Sequence, residues 1–148
     1  MASSGDLYEI STAVDRVNLD VVHRFLTTSY WSHGIPRATV ERAIAHSICA
    51  SAHYGAEQVG FARVVTDRAV FAYVADVFVL PEHRQRGLAR RMMQALQAHP
   101  DLQGLRRWSL VTRDAHAVYR GCGFSALAHP ERHMEIHDPD IYAANRSC

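Results

Sequence analysis

Residues 76–91, Asp-Val-Phe-Val-Leu-Pro-Glu-His-Arg-Gln-Arg-Gly-Leu-Ala-Arg-Arg, are the most informative part of this chain. An apolar strand ends at Pro81 and runs into a short basic turn with one glycine, Gly87. The residues after Gly87 have helical periodicity, which predicts an amphipathic helix that begins at once. This layout brings backbone N–H groups, the positive end of a helix dipole and arginine side chains to one place. Such a place is suited to binding a pyrophosphate.

The remaining sequence alternates between strand-like and helix-like segments. The predicted strands are 8–11, 58–66, 69–80, 108–112, 124–127 and 134–137, and the predicted helices are 14–26, 36–48, 87–99 and 115–120. This order predicts an α/β fold with one mixed, twisted sheet of about six to seven strands and about four flanking helices. A length of 148 residues is typical of one domain, so residues 1–148 are predicted to form a single domain.

Composition excludes several classes of protein. Sixteen basic and fifteen acidic residues leave a net charge of +1, which favours neither nucleic acid nor a membrane surface as a partner. All sixteen basic residues are arginine, so a Walker A lysine and a Schiff-base lysine are both excluded. Three cysteines without paired spacing indicate reduced thiols, and no signal peptide is visible at residues 1–6. We therefore expect a cytoplasmic protein.

The turn Arg84-Gln85-Arg86-Gly87-Leu88-Ala89 fits the pattern (Gln/Arg)-x-x-Gly-x-(Gly/Ala) and resembles the acyl-coenzyme A loop of the GNAT superfamily of N-acetyltransferases. Residues 58–63, Gln-Val-Gly-Phe-Ala-Arg, look like a family strand that carries a glycine. Residues 114–124 resemble the family's last motif, in which Tyr119 precedes a Gly-Phe ending. The resemblance covers roughly residues 58–127 and implies a GNAT-like fold with acetyl-CoA as co-substrate.

The resemblance also implies roles for individual residues. The main chain of the turn would hold the pyrophosphate, and the main chain at the end of the preceding strand would bind the pantetheine. Thr112 stands where many relatives have asparagine, and its hydroxyl can make a similar contact. Tyr119 would protonate the departing thiolate. The implied cofactor-binding residues are Phe78, Val79, Arg84, Gln85, Arg86, Gly87, Leu88, Ala89 and Thr112.

Asp76 is the only charged residue in the run 69–80, and a carboxylate is costly to bury unless it is paired or faces a cleft. It could line the acceptor cleft and orient or deprotonate an amine. It could instead form a structural ion pair with an arginine, or lie at a bulge that turns it outward. Tyr30 and Trp31 lie in a loop that in this family borders the acceptor. They could join Asp76 in a pocket for a protonated amine, or simply pack between helices.

These features predict an enzyme that transfers acetyl from acetyl-CoA to a primary amine of a small molecule by direct attack, with Tyr119 and Asp76 as catalytic residues. The alternative is a non-catalytic acyl-CoA-binding sensor or regulatory domain. No metal is expected, because Pro130 interrupts the histidines of the tail. An exposed final strand could pair with a second copy of the chain, so a homodimer is left open.

Overall fold

The computed structural model describes residues 7–143, which form one sheet of five strands with four helices. The strands are β1 (Tyr8–Ser11), β2 (Ile48–Tyr54), β3 (Glu57–Thr66), β4 (Phe71–Val79) and β5 (Arg107–Leu110), and the helices are α1 (Leu19–Leu26), α2 (Arg37–Ala45), α3 (Leu88–Gln97) and α4 (His116–Arg120). The strands lie in chain order. Strands β1 to β4 are antiparallel, and β5 pairs with β4 in parallel. The predicted α/β class with a mixed sheet is confirmed.

The helices cover both faces of the sheet. Helices α1 and α2 pack on one face, around Phe61 and Phe78. Helix α3 packs on the other face through a stripe of fully buried side chains, namely Leu88, Met92, Met93 and Leu96. Burial of each such side chain contributes about 1.5–3 kcal/mol. Gly60 permits the close approach of α3, because a Cβ there would lie 3.2 Å from the Met92 side chain. The start of α3 is thereby fixed against the sheet.

Strand β2 was missed by the sequence analysis, which extended the second helix to Ile48. That helix ends at Ala45, and β2 inserts between β1 and β3 with only Tyr54 exposed. The error has a physical cause. Ile44 and Ile48 continue a helical spacing, and the small residues of β2 carry little intrinsic strand signal. Their strand conformation is imposed by neighbours on both sides.

The strands predicted at 124–127 and 134–137 do not form within residues 7–143. Residues 124–127 and β5 line the same pocket, of about 320 Å³, and no ladder pairs them. The second segment is exposed to solvent. Over the described residues the sheet therefore has five strands in place of the six to seven expected.

A bulge in β4 determines where the sheet opens. Ala75 faces Arg63 and Phe78 faces Phe61, so β4 carries one residue more than β3 over this span. Asp76 lies in the bulge with a left-handed φ of 55°. The parallel pairing of β4 with β5 covers Phe71–Val74 and stops before the bulge. Beyond it the outer edge of β4 is open, close to the turn that leads into α3.

None of the helices within residues 7–143 is long and apolar enough to cross a membrane.

Candidate active site

The basic turn connects β4 to α3 through two left-handed residues. A 3-10 turn at Pro81–His83 is followed by Gln85 with φ 64° and Gly87 with φ 74°. Gly87 is the residue that immediately precedes α3, and a Cβ on it would meet nothing within 4 Å. Its φ is therefore what requires glycine, and the space beside it is open to a ligand. The first amides of α3 have no helical acceptors and carry the positive end of its dipole.

The arginine side chains of the turn are held by the protein itself. Arg84 donates from Nε to the Val79 carbonyl at 2.8 Å, and the Arg86 guanidinium lies 5.9 Å from the centre of the Tyr8 ring. Tyr8 in turn is hydrogen-bonded to His83 Nδ1 at 2.9 Å. These contacts fix the shape of the turn. They leave anion binding mainly to the backbone amides.

Along β4, successive residues turn their main-chain N–H and C=O groups alternately toward β3 and toward the open edge. Leu80 donates its N–H to Val59 O at 2.8 Å, so Leu80 turns its main-chain groups toward β3. By the alternation of an antiparallel ladder, Phe78 does the same, whereas Val79 turns its groups outward. The Val77 carbonyl also points outward, because it lies trans to the Phe78 N–H in their shared peptide. The expected main-chain contact of Phe78 with the pantetheine therefore needs correction, because its polar groups face Phe61. Its side chain stacks on Phe25, with ring centres 4.0 Å apart.

Asp76 has partners for both carboxylate oxygens. Arg63 donates from Nε to Oδ2 at 2.8 Å, and Trp31 donates from Nε1 to Oδ1 at 2.9 Å. The side chains of Arg63 and Asp76 are only 18% and 10% exposed. Arg63 also donates to Ser47 Oγ at 3.1 Å. The ion pair raised as an alternative for Asp76 is present. A bulge is present too, but it does not turn Asp76 outward as that alternative supposed, because both carboxylate oxygens are bonded within the protein. The site thus favours Asp76 as a residue that positions Trp31 over Asp76 as a free base.

Tyr30 and Trp31, the aromatic residues predicted on the acceptor side, lie next to Asp76. Tyr30 and Trp31 meet edge to face with ring centres 5.1 Å apart, and Trp31 lies 6.2 Å from Phe25. Tyr30 is 60% exposed. The Arg113 guanidinium, from the loop after β5, lies 3.9 Å from the centre of the Tyr30 ring. The structure therefore brings the predicted residues Tyr30, Trp31 and Asp76 together, and adds an arginine above the outermost ring.

Tyr119 lies on α4 and is buried against the sheet. Its ring meets Phe124 edge to face, with centres 6.0 Å apart. Burial raises the pKa of Tyr119 above the usual value near 10, and the nearby Cys122 raises it further. The phenol therefore stays protonated at neutral pH, as a proton donor must. Thr112 accepts the Ala115 N–H at 3.0 Å, so its hydroxyl stabilises the start of α4.

Two residues of the site were missed from the sequence. Arg63 pairs with Asp76 across a hairpin that contains a bulge, and no local pattern indicates that register. Arg113 reaches Tyr30 from a loop far along the chain. The sequence shows that all its basic residues are arginine, but it does not indicate which arginine contacts Asp76 or Tyr30. Cys49 is not a candidate nucleophile of the site, because burial raises the pKa of its thiol to about 12 and keeps the thiol protonated.

Comparison with known proteins places this geometry in a family. The family model of the acetyltransferase (GNAT) domain matches residues 28–126. A crystal structure from Xanthomonas campestris pv. campestris, assigned to the GNAT acetyltransferases, is 47% identical, covers 92% of this chain and 96% of that chain, and has a TM-score of 0.88.

More distant relatives agree. A Gibberella zeae protein named as an acetyltransferase is 32% identical over 130 residues, 72% of each protein. A Clostridium acetobutylicum acetyltransferase solved with acetyl-CoA shares the fold at 15% identity, with a TM-score of 0.65 over 88% of this chain and 94% of that one. The turn before α3, the open edge of β4 and the matched residues together lead to one conclusion: this chain belongs to the GNAT family of acetyltransferases.

Proposed function

We propose that this protein transfers acetyl from acetyl-CoA to a primary amine of a small molecule by direct attack. Three features support the proposal. These are the amides at the start of α3, the open edge of β4 and the buried phenol of Tyr119. The first and last are linked because Leu88 of α3 and Tyr119 belong to the same core cluster. A pyrophosphate at the amides and a pantetheine along the edge would direct a thioester toward the bulge.

Val79 and Val77 supply the main-chain contacts in this proposal. Pantetheine amides would pair with their outward groups as an added strand does, and an outward N–H would polarise the thioester carbonyl. The remaining cofactor contacts come from the turn 84–89, with Thr112 near the thiol end. Arg84 already bonds the Val79 carbonyl, so that carbonyl is not offered to the cofactor unless the arginine moves.

The reaction then needs few protein groups. The neutral amine forms the new C–N bond, the C–S bond breaks, and the thiolate takes the Tyr119 proton, which solvent later restores. Both oxygens of Asp76 are engaged by Arg63 and Trp31, so we assign the removal of the amine proton to water. Asp76 acts by holding Trp31 beside the acceptor.

The acceptor class follows from the mouth of the site. Arg113 rests on the Tyr30 ring at 3.9 Å, which means that this aromatic face already accommodates a cation. A protonated amine could take the same place before it loses its proton. Trp31 would form the adjoining wall.

A direct experiment tests the proposal. Release of free thiol from acetyl-CoA is measured with a panel of amino acids, polyamines, aminoglycosides and short peptides, and mass spectrometry identifies the acetylated product. We expect amine-dependent release with at least one small primary amine. Tight binding of acetyl-CoA by calorimetry, without transfer to any amine of the panel, would instead indicate an acyl-CoA sensor.

A further inference from the structure

A second cavity, here called the α1 pocket, lies at the start of helix α1, whereas Tyr30 and Trp31 follow the end of that helix. It is bounded by the segment that leads into α1, the first residue of α2 and the β2–β3 hairpin. Its volume is about 590 Å³, within the range of about 300–1,000 Å³ that is typical of small-molecule sites. The lining residues are Asp15, Arg16, Val17, Asn18, Leu19, Asp20, Arg37, His53, Ala56 and Gln58. The α1 pocket therefore shares no lining residue with the turn 84–89 or with the acceptor wall.

His53 is the buried ionisable residue of the α1 pocket, with 4% of its surface exposed. Its Nε2 lies 2.8 Å from Ser51 Oγ. Ser51 is 1% exposed, and His53 is the partner that the described residues provide for its hydroxyl, so the hydroxyl donates to Nε2. Burial lowers the pKa of His53 and the charge of Arg16 lowers it further, so the ring is neutral at pH 7. Its single N–H proton is therefore on Nδ1.

The Nδ1–H of His53 faces the α1 pocket without an acceptor. Among residues 7–143 the hydrogen bond of the His53 ring is the one at Nε2, yet no buried side-chain nitrogen or oxygen in this part of the chain lacks a partner. Nδ1 must therefore be accessible, and the space beside His53 is the pocket that it lines. A donor in such a place favours an ionised acceptor, such as a carboxylate.

The charged side chains of the α1 pocket are balanced in sign. Asp15 and Asp20 supply carboxylates, and Arg16 and Arg37 supply guanidinium groups. Arg16 pairs with Glu9 and Arg37 with Asp20, but these side chains are between 38% and 65% exposed. Exposed ion pairs contribute at most about 1 kcal/mol each, so a ligand can replace one partner at little cost. A lining with both signs suits a ligand that itself carries one positive and one negative charge.

The α1 pocket is also preformed. Gln58 accepts from the Asn18 N–H at 2.6 Å and donates to the Gly60 carbonyl at 3.0 Å. The Asn18 side chain in turn accepts from the N–H groups of Asp20 and Val21 and so caps α1. These contacts fix the pocket without a ligand, which lowers the cost of binding one. They also satisfy the helix amides of Asp20 and Val21, so recognition is left to the side chains.

We propose that the α1 pocket binds a free amino acid, as a ligand site separate from the site of acetyl transfer. The ligand carboxylate accepts from the Nδ1–H of His53 and lies beside Arg16. The ligand ammonium faces Asp15 and Asp20. A simple amine or a simple carboxylate would satisfy only half of this lining, so the ligand needs both of its charges.

Calorimetry with the standard L-amino acids, in the absence of acetyl-CoA, tests the proposal. For the amino acid that binds best we expect a Kd below about 1 mM. Its C-terminal amide and its N-acetyl form each lack one charge, and each should bind about tenfold or more weakly. A protein that binds no free amino acid, or that binds either blocked form equally well, would refute the assignment.

Variants locate the ligand. His53→Gln keeps an acceptor for the Ser51 hydroxyl but loses the Nδ1–H, so it should weaken binding about tenfold or more while the circular dichroism spectrum is unchanged. Asp15→Asn changes an exposed residue and should weaken binding about two- to fivefold. The matched control is Glu41→Gln, which removes an exposed carboxylate outside the α1 pocket and should have no effect.

Coenzyme A separates this site from the site of transfer. At saturation it should leave the binding of the amino acid intact, because the two sites share no residue. Displacement of the amino acid by coenzyme A, or parental affinity in both His53→Gln and Asp15→Asn, would place the ligand elsewhere and overturn the proposal. The outcome does not depend on the proposed function, since no acetyl donor is present.

Discussion

Replacement of Asp76 by asparagine separates a positioning role from a role as base. Asparagine tolerates the left-handed φ of 55° at this position, and its carbonyl can still accept from Trp31. The ion pair with Arg63 is lost, however, and the guanidinium remains largely buried. Removal of one partner of a buried pair costs about 3–5 kcal/mol, and the partial exposure here puts the expected loss near the lower end, about 3 kcal/mol.

That loss is measurable as a fall in melting temperature. For a chain of this size, 1 kcal/mol corresponds to about 2–4 °C, so Asp76→Asn should melt about 6–12 °C below the parent. Asp76→Ala is the matched control. It should destabilise the fold by about 1 kcal/mol more than Asp76→Asn, because alanine is strained in the left-handed conformation. It also removes the acceptor of the Trp31 Nε1–H. Arg63→Met combined with Asp76→Asn should cost less than the sum of the two single changes, because neither charge is then left alone.

The rate completes the test. At a temperature where all variants are folded, Asp76→Asn should lower kcat by less than about tenfold, that is, less than about 1.4 kcal/mol, and leave the shape of the pH profile unchanged. Asp76→Ala should mainly raise KM for the amine, since Trp31 loses its anchor. The argument fails if Asp76→Asn melts like the parent but loses about 100-fold or more in kcat together with one limb of the pH profile.

Three further variants, and Gly55→Ala as a control for one of them, probe the remaining parts of the site. Gly87→Ala and Gly55→Ala should each destabilise the fold by about 1 kcal/mol, because both glycines have positive φ and open surroundings, yet only Gly87→Ala should weaken acetyl-CoA binding in calorimetry. Tyr119→Phe should lower kcat by about 100-fold at pH 7, and the defect should shrink above pH about 8.5, where the thiolate leaves without a proton; a defect of equal size at every pH would indicate a packing role only. Arg113→Ala should lower KM for a cationic amine about two- to fivefold by freeing the Tyr30 face, and an unchanged KM would remove that face from the acceptor site.

The pH dependence of Tyr119 has a definite sign. Its folded-state pKa is raised by burial, so the folded protein holds this proton more tightly than the unfolded chain. Any stability from this group is fully present below pH about 10, the unfolded value, and is lost as pH rises through the higher folded pKa. The alkaline limb of the rate profile, where Tyr119 loses its proton, should likewise lie above pH about 10, so titration of this phenol does not limit activity near neutrality.

Local chemistry was predictable from the sequence, and register was not. The turn 84–89 was identified because glycine, arginine and the start of a helix follow one another within a few residues. Asp76 was singled out because a lone charge in an apolar run is conspicuous. Its partner Arg63, by contrast, depends on a ladder that the bulge shifts by one residue. The same shift determines that Val79, and not Phe78, turns its main chain outward, which no side-chain pattern reports.

The bulge at Asp76 links the two halves of the site. One additional residue in β4 ends the pairing with β5, and this leaves the strand edge available to the proposed pantetheine. The same residue, by its left-handed backbone, directs its carboxylate to Trp31 and Arg63. The position of the acceptor wall is therefore coupled to the opening of the cofactor edge through a single backbone conformation. The ion pair with Arg63 stabilises that conformation, so a structural contact maintains the geometry on which the proposed transfer depends.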